Sequence, residues 1–160
     1  MEPSPDLAPN LAPVAALLGT WRGDGAGSYP TIEDFSYTDE VVFTAVGKPF
    51  LHYVQRSWSP DGSPMHTETG YLRIPAAGTA ELILAQPMGQ TELAEGTIAA
   101  EADTLVLELE AQVVNSATAK NVAGTRRRYE LSGDSLTTTF AMAAVGQPMT
   151  HHLRSDMRRV

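Results

Sequence analysis

Turn-forming residues recur along this chain at intervals too short for any long helix. After Trp21 they run Gly47-Lys48-Pro49, Ser59-Pro60-Asp61-Gly62-Ser63-Pro64, Pro75 to Gly78, Gly89-Gln90, Gly133-Asp134 and Gly146-Gln147-Pro148. Glycine enters left-handed backbone without a Cβ clash, and proline fixes φ and removes a donor, so each cluster reverses the chain. The stretches between them are short and carry strand-forming residues. They predict strands over 19–27, 35–44, 50–58, 65–74, 80–86, 91–98, 104–109, 120–131, 135–143 and 149–158. No periodic segment is long enough to cover a sheet face with a helix, which leaves the all-β class. Ten strands in sequential hairpins lose their unpaired edges by closing on themselves. The expectation is therefore a ten-stranded antiparallel up-and-down β-barrel. Its interior is wider than side chains fill in an eight-stranded barrel, so a cavity is expected.

Leu11, Val14, Leu17 and Leu18 have helical spacing ahead of Gly19, predicting one short N-terminal helix that plugs an end of the barrel. Pro3, Pro5 and Pro9 crowd the start, so residues 1–10 are expected to be a loose tail and 11–160 a single domain. The architecture is that of the lipocalins and fatty-acid-binding proteins.

The chain has 11 Lys+Arg against 19 Asp+Glu, a net charge of −8, which argues against a nucleic-acid partner. Arg126, Arg127 and Arg128 are consecutive, and consecutive strand residues point to opposite faces, so they make no single basic patch. There is no cysteine, hence no disulfide, thiol nucleophile or thiolate-held metal, and the expected location is the cytoplasm. No apolar run approaches the ~18 residues of a membrane helix, and nothing at the start reads as a signal peptide.

Few residues can carry chemistry. There is no GxSxG elbow. The glycine-rich run from Gly19 to Gly27 lacks the GK[ST] ending of a phosphate loop. Its alternate glycines instead let a first strand bend and other groups approach its backbone, with Trp21 sealing the barrel base. Asp39, Glu40, Glu92, Glu95, Glu108 and Glu110 show no pairing and read as solvated strand faces. The methionines Met65, Met88, Met142, Met149 and Met157 suit either a pliable pocket or an ordinary core. The histidines are His52, His66, His151 and His152, without the spacing of a structural zinc site. His151 and His152 are adjacent in a strand, so one faces in and one out. Simple alternation groups His151 with Leu153 and Met157, which would send His151 inward. A bulge after Pro148 would reverse that parity. A single neutral imidazole on an apolar cavity is the protein ligand that five-coordinate haem iron needs.

Gly19-Thr20-Trp21-Arg22-Gly23-Asp24-Gly25 fits the GxWxGxG signature of the nitrobindin family, haem-binding β-barrels related in shape to fatty-acid-binding proteins. The segment Tyr29-Pro30-Thr31-Ile32, the strands from Phe50 to Trp58 and from Met65 to Arg73, and the closing hairpin from Met142 to Leu153 also resemble that family, in order. The resemblance implies a single haem b with ferric iron. It implies His152, directly before Leu153, as axial ligand, and Lys120, in the pair Ala119-Lys120, at the haem. Gly19, Trp21, Gly23 and Gly25 are the signature positions. Thr31, Tyr37 and His66 fall in segments near the pocket. The implied activity is isomerisation of peroxynitrite to nitrate, with reversible nitric oxide binding and no protein acid or base required. Partners are then small molecules, with no membrane, and the chain is a monomer or homodimer. A non-catalytic carrier of a fatty acid or other hydrophobic ligand, with Lys120 pairing its carboxylate, is the alternative. A packed scaffold without ligand is a third.

Overall fold

A computed structural model describes residues 6–160. A short 3-10 helix, Pro9–Leu17, is followed by ten strands: β1 Gly19–Tyr29, β2 Ile32–Ala45, β3 Phe50–Trp58, β4 Pro64–Arg73, β5 Thr79–Ala85, β6 Gln90–Glu101, β7 Thr104–Asn115, β8 Val122–Ser132, β9 Ser135–Ala144 and β10 Thr150–Arg159. Each strand pairs antiparallel with its chain neighbour, and β1 pairs with β10 to close the barrel. Closure pairs the two strands that would otherwise expose free backbone donors and acceptors.

All ten strands fall where the turn signals place them, and the ends differ. β7 continues to Asn115 because the backbone of 110–115 completes the ladder with β6 down to Gln90. β8 begins at Val122, so Lys120 lies in a loop and not in the strand expected over 120–131. The Asn115 side chain causes this: it donates to the Val122 carbonyl at 2.9 Å and accepts from the Val122 N–H at 3.0 Å, bridging the loop.

Leu11, Val14 and Leu17 are fully buried. Their three-residue spacing is the period of the 3-10 helix, which brings all three to one face. That face packs on Trp21, whose indole N–H donates to the Leu17 carbonyl at 2.9 Å. Arg159 stacks on the Trp21 ring at 4.2 Å and donates to the Ala16 and Leu18 carbonyls at 2.7 and 2.6 Å. Each buried aliphatic side chain contributes about 1.5–3 kcal/mol as an upper estimate. The helix is therefore a plug at one end of the barrel. It starts two residues ahead of the expected boundary at residue 11, and Asn10 ties it to the Pro49 and Ile74 carbonyls. Residues 1–5 of the expected loose tail lie outside the described residues.

Leu51, Leu72, Leu82, Leu107, Leu136 and Met157 belong to the core continuous with the plug. The opposite end carries the β1–β2, β3–β4, β5–β6, β7–β8 and β9–β10 turns and is the end with a cavity. Two stretches of similar sequence, Ala45-Val46-Gly47-Lys48-Pro49-Phe50-Leu51-His52 and Ala144-Val145-Gly146-Gln147-Pro148-Met149-Thr150-His151, span the β2–β3 and β9–β10 turns, an odd number of strands apart, and so lie at opposite ends.

Candidate functional site

Two irregularities meet at the open end. In β10 the pairing with β9 runs His151 to Ala141 and then Leu153 to Phe140, so His152 is the extra residue of a bulge. In β1 the pairing with β2 slips between Gly27 and Tyr29, which leaves Ser28 outside the ladder. A bulge turns its residue out of strict alternation. Consequently His152 and Leu153 both line the cavity, while His151 is exposed on the outer wall. The inward parity of His151 from simple alternation is thus corrected. The bulge sits at His152 itself.

The free Ser28 carbonyl lies 2.9 Å from His152 Nδ1. A carbonyl only accepts, so Nδ1 carries the proton and Nε2 keeps its lone pair. Burial pushes the His152 pKa down, against the opposing effect of the Ser28 hydrogen bond, so the ring is neutral at neutral pH. Tyr29, Phe35 and Phe140 surround the imidazole with ring centroids at 5.3, 6.0 and 6.1 Å.

The cavity is about 280 Å³. Its apolar lining includes Phe35, Val113, Val122, Phe140, Met142 and Leu153, and Met65 also borders it. Of the other methionines, Met157 is core and Met88 is exposed. Phe35 and Tyr37 lie across β1 because Gly27 and Gly25 have no side chains. A Cβ on Gly25 would stand 2.2 Å from the Tyr37 ring, and one on Gly27 2.1 Å from that of Phe35. Gly19 opens β1 with φ 120°, and Gly23 faces Met157 across the β1–β10 closure.

The deeper wall is polar and was not legible from composition. Arg127 is buried, not solvated, and donates to both Glu68 oxygens at 2.7 and 3.2 Å and both Glu92 oxygens at 3.2 and 2.6 Å. Its guanidinium lies 4.7 Å from the Phe140 ring centroid. Thr125 and Gln86 also donate to Glu92. Tyr53 donates to Glu68 at 3.2 Å, and His66 Nε2 lies 3.2 Å from its other oxygen. Burial alone would raise Glu68, but the Arg127 and His66 contacts outweigh it and hold its carboxyl at about 2. A second group joins Asp39 to Gln55 and Ser155, each donating at 2.7 Å, with Tyr37 donating to Ser155 at 2.9 Å. Burial raises Asp39 against these bonds and pushes Tyr37 up to about 12. The reading of Asp39 and Glu92 as solvated is therefore corrected; Glu95, Glu108 and Glu110 are exposed as expected, but Glu40, Glu108 and Glu110 are not unpaired, since they meet Arg22, Arg128 and Arg126 on the adjacent strands. The missed signal was parity: Arg127 shares a strand face with Tyr129 and Leu131, and Glu92 shares one with Gln90 and Ala94.

Tyr37 and His66 line the cavity, whereas Thr31 is exposed in the β1–β2 turn. Lys120 is exposed on the β7–β8 loop. Its carbonyl accepts from Gln90, a cavity residue, at 3.1 Å, which places Lys120 at the rim.

Among the described residues no group of three or more His, Asp or Glu side chains could hold a bare metal ion. What the open end offers is one neutral imidazole nitrogen between aromatic walls. Those features fit a flat apolar macrocycle that brings the other metal ligands with it. Fold and site together define a closed ten-stranded ligand-binding barrel with a histidine presented into its open end. The sequence matches the THAP4-like, heme-binding beta-barrel domain over residues 10–159, and the chain belongs to that family. It is 48% identical to "Peroxynitrite isomerase 2" of Mycobacterium ulcerans over 156 residues, covering 96% of this chain and 97% of that protein. It is also 48% identical to "Peroxynitrite isomerase" of Nocardia farcinica over 162 residues, covering 99% and 96%. The crystal structure of Rv2717c from M. tuberculosis superposes with a TM-score of 0.95 at 46% identity, covering 97% of this chain and 99% of that one.

Proposed function

We propose that this chain holds one ferric haem b through His152, isomerises peroxynitrite to nitrate, and binds nitric oxide reversibly. The observation that carries the reading is the His152 imidazole, held by Ser28 with Nε2 free at the apolar end of the barrel. Membership of a haem-binding family supports the cofactor, and full-length relatives named peroxynitrite isomerase support the reaction. Bound haem would supply the iron at which peroxynitrite rearranges. The chain's own contribution is to bind and orient. Ser28 fixes the His152 tautomer, Phe35 and Phe140 hold the ring's attitude, and the apolar walls keep water from the face they cover. Lys120 at the rim is suited to pair with a haem carboxylate while its stem lies along the macrocycle edge. The rearrangement of peroxynitrite anion to nitrate anion breaks and forms no bond to hydrogen, so this reading asks for no acid or base from the chain.

No helix among the described residues is long and apolar enough to cross a membrane. A cytoplasmic location suits a chain without cysteine. The fatty-acid carrier reading would rest on Lys120 at the rim, because Arg127, deeper in the barrel, already has both its edges taken by Glu68 and Glu92.

The test is a titration of haem-free protein with ferric haem, followed by visible absorption, for wild type, His151→Ala and His152→Ala. A saturable one-to-one Soret shift, kept in His151→Ala and lost in His152→Ala, is expected. Its presence in His152→Ala, or its absence in wild type, overturns the reading.

A further inference from the structure

The β1–β10 ladder ends at Gly27 opposite Leu153, one residue short of His152. Backbone pairing therefore flanks this histidine on the β9 side but stops short of it on the β1 side. Side chains take over there. Tyr29 is buried, and its hydroxyl donates to the Met142 carbonyl at 3.0 Å and accepts from the Ala144 N–H at 3.1 Å. The corner it grips is strained at Val145, which has φ 48°, ahead of Gly146, whose φ of 82° costs a glycine nothing. A β-branched residue in left-handed backbone persists only where its surroundings over-determine it. The Tyr29 ring also stands edge-on to the His152 imidazole, at 5.3 Å and 72°. Its neighbour Ser28 holds Nδ1. One dipeptide of β1 thus holds the imidazole by its edge and its face, and clamps the turn leading into its strand.

We infer that Tyr29 is a positioning residue for His152, acting by bolting the end of β1 to the β9–β10 corner. This rests on the reading of His152 as the haem ligand. Losing the hydroxyl frees the corner, lets the bulge relax toward regular pairing, and misaligns Nε2. Outer partners of a metal ligand set its affinity by about ten- to hundredfold.

The test compares wild type, Tyr29→Phe, Tyr29→Phe/Val145→Gly and His152→Ala. Haem dissociation is measured by transfer to excess apomyoglobin. Solvent exchange of the His152 Nδ1–H is measured by NMR in haem-free protein. Tyr29→Phe keeps the ring, so it is expected to fold and to lose haem about ten- to hundredfold faster, with faster Nδ1–H exchange. Glycine at 145 holds the left-handed corner without strain, so the double variant is expected to recover much of both. A merely structural hydroxyl would move neither the exchange rate nor its rescue. Unchanged haem dissociation and exchange in Tyr29→Phe overturns the inference alone, as does a double variant that recovers neither; if Tyr29→Phe fails to fold, a double variant that does not fold, or that folds yet still loses haem and exchanges Nδ1–H fast, overturns it likewise. Retention of haem by His152→Ala overturns the underlying reading instead.

Discussion

Replacing Arg127 with methionine tests whether the buried polar wall stands on one cation. Methionine fills most of the volume but removes four charge-assisted hydrogen bonds, two to each carboxylate. It leaves Glu68 and Glu92 buried and facing each other without a counter-charge. Breaking a buried pair from one side costs about 3–5 kcal/mol, mostly from the stranded charge. In a chain of this size each kcal/mol moves the midpoint by about 2–4 °C, so Tm at pH 7 should fall by roughly 6–20 °C. Without Arg127 the Glu68 carboxyl loses the contact that holds it low and takes up a proton more readily, because burial then disfavours its charge. The deficit relative to wild type should therefore shrink on acidification to pH 4.5, and Glu68→Gln/Glu92→Gln/Arg127→Met should recover much of it at pH 7. The assay is thermal denaturation of haem-free protein at both pH values. A deficit under about 3 °C at pH 7, or one unchanged at pH 4.5, would refute the assignment of Arg127 as the keystone of this wall.

Two further outcomes follow from the same geometry. Gly25→Ala places a Cβ 2.2 Å from the Tyr37 ring, which must shift and pull away from Ser155; overpacking of this kind costs about 1–3 kcal/mol, read as a lower denaturation midpoint. Glu68 is held at about 2 in the folded state against 4.5 ordinarily, so its contribution, on the order of 3 kcal/mol, is present above pH 4.5 and lost as pH falls toward 2. Asp39, raised by burial, acts with the opposite sign. Urea midpoints of Glu68→Gln measured across that window should therefore fall less steeply than those of wild type, and equal slopes would count against the Glu68 pairing.

The class of fold was written locally. Each reversal is made by residues adjacent in sequence, Ser59 to Pro64 or Gly146-Gln147-Pro148, and each needs only its own backbone preferences. Leu11, Val14 and Leu17 announce the plug because a helix face is a matter of spacing. The glycine run of β1 announces a close approach, though not that Tyr37 and Phe35 are what approach.

The site was legible only in part, because it depends on groups brought together from distant strands. The resemblance pointed to His152 while alternation pointed to His151. The conflict is resolved by a bulge that pairing with β9 creates and that no local pattern in Thr150 to Arg154 specifies. Alternation sets Arg127 on the face opposite Arg126 and Arg128 but does not name its partners, because Glu68 and Glu92 are 59 and 35 residues away. A charge is stable inside a protein only if opposite charges meet it there, and which ones do is decided by barrel closure. The sequence alone determined where the chain turns, that it closes into a barrel, and that a short helix fills one end, since those follow from short-range sterics and periodicity. Tertiary structure alone decided which histidine faces the cavity, which acids are buried, and which carbonyl holds the imidazole. Those depend on strand register, which closure of the whole barrel sets.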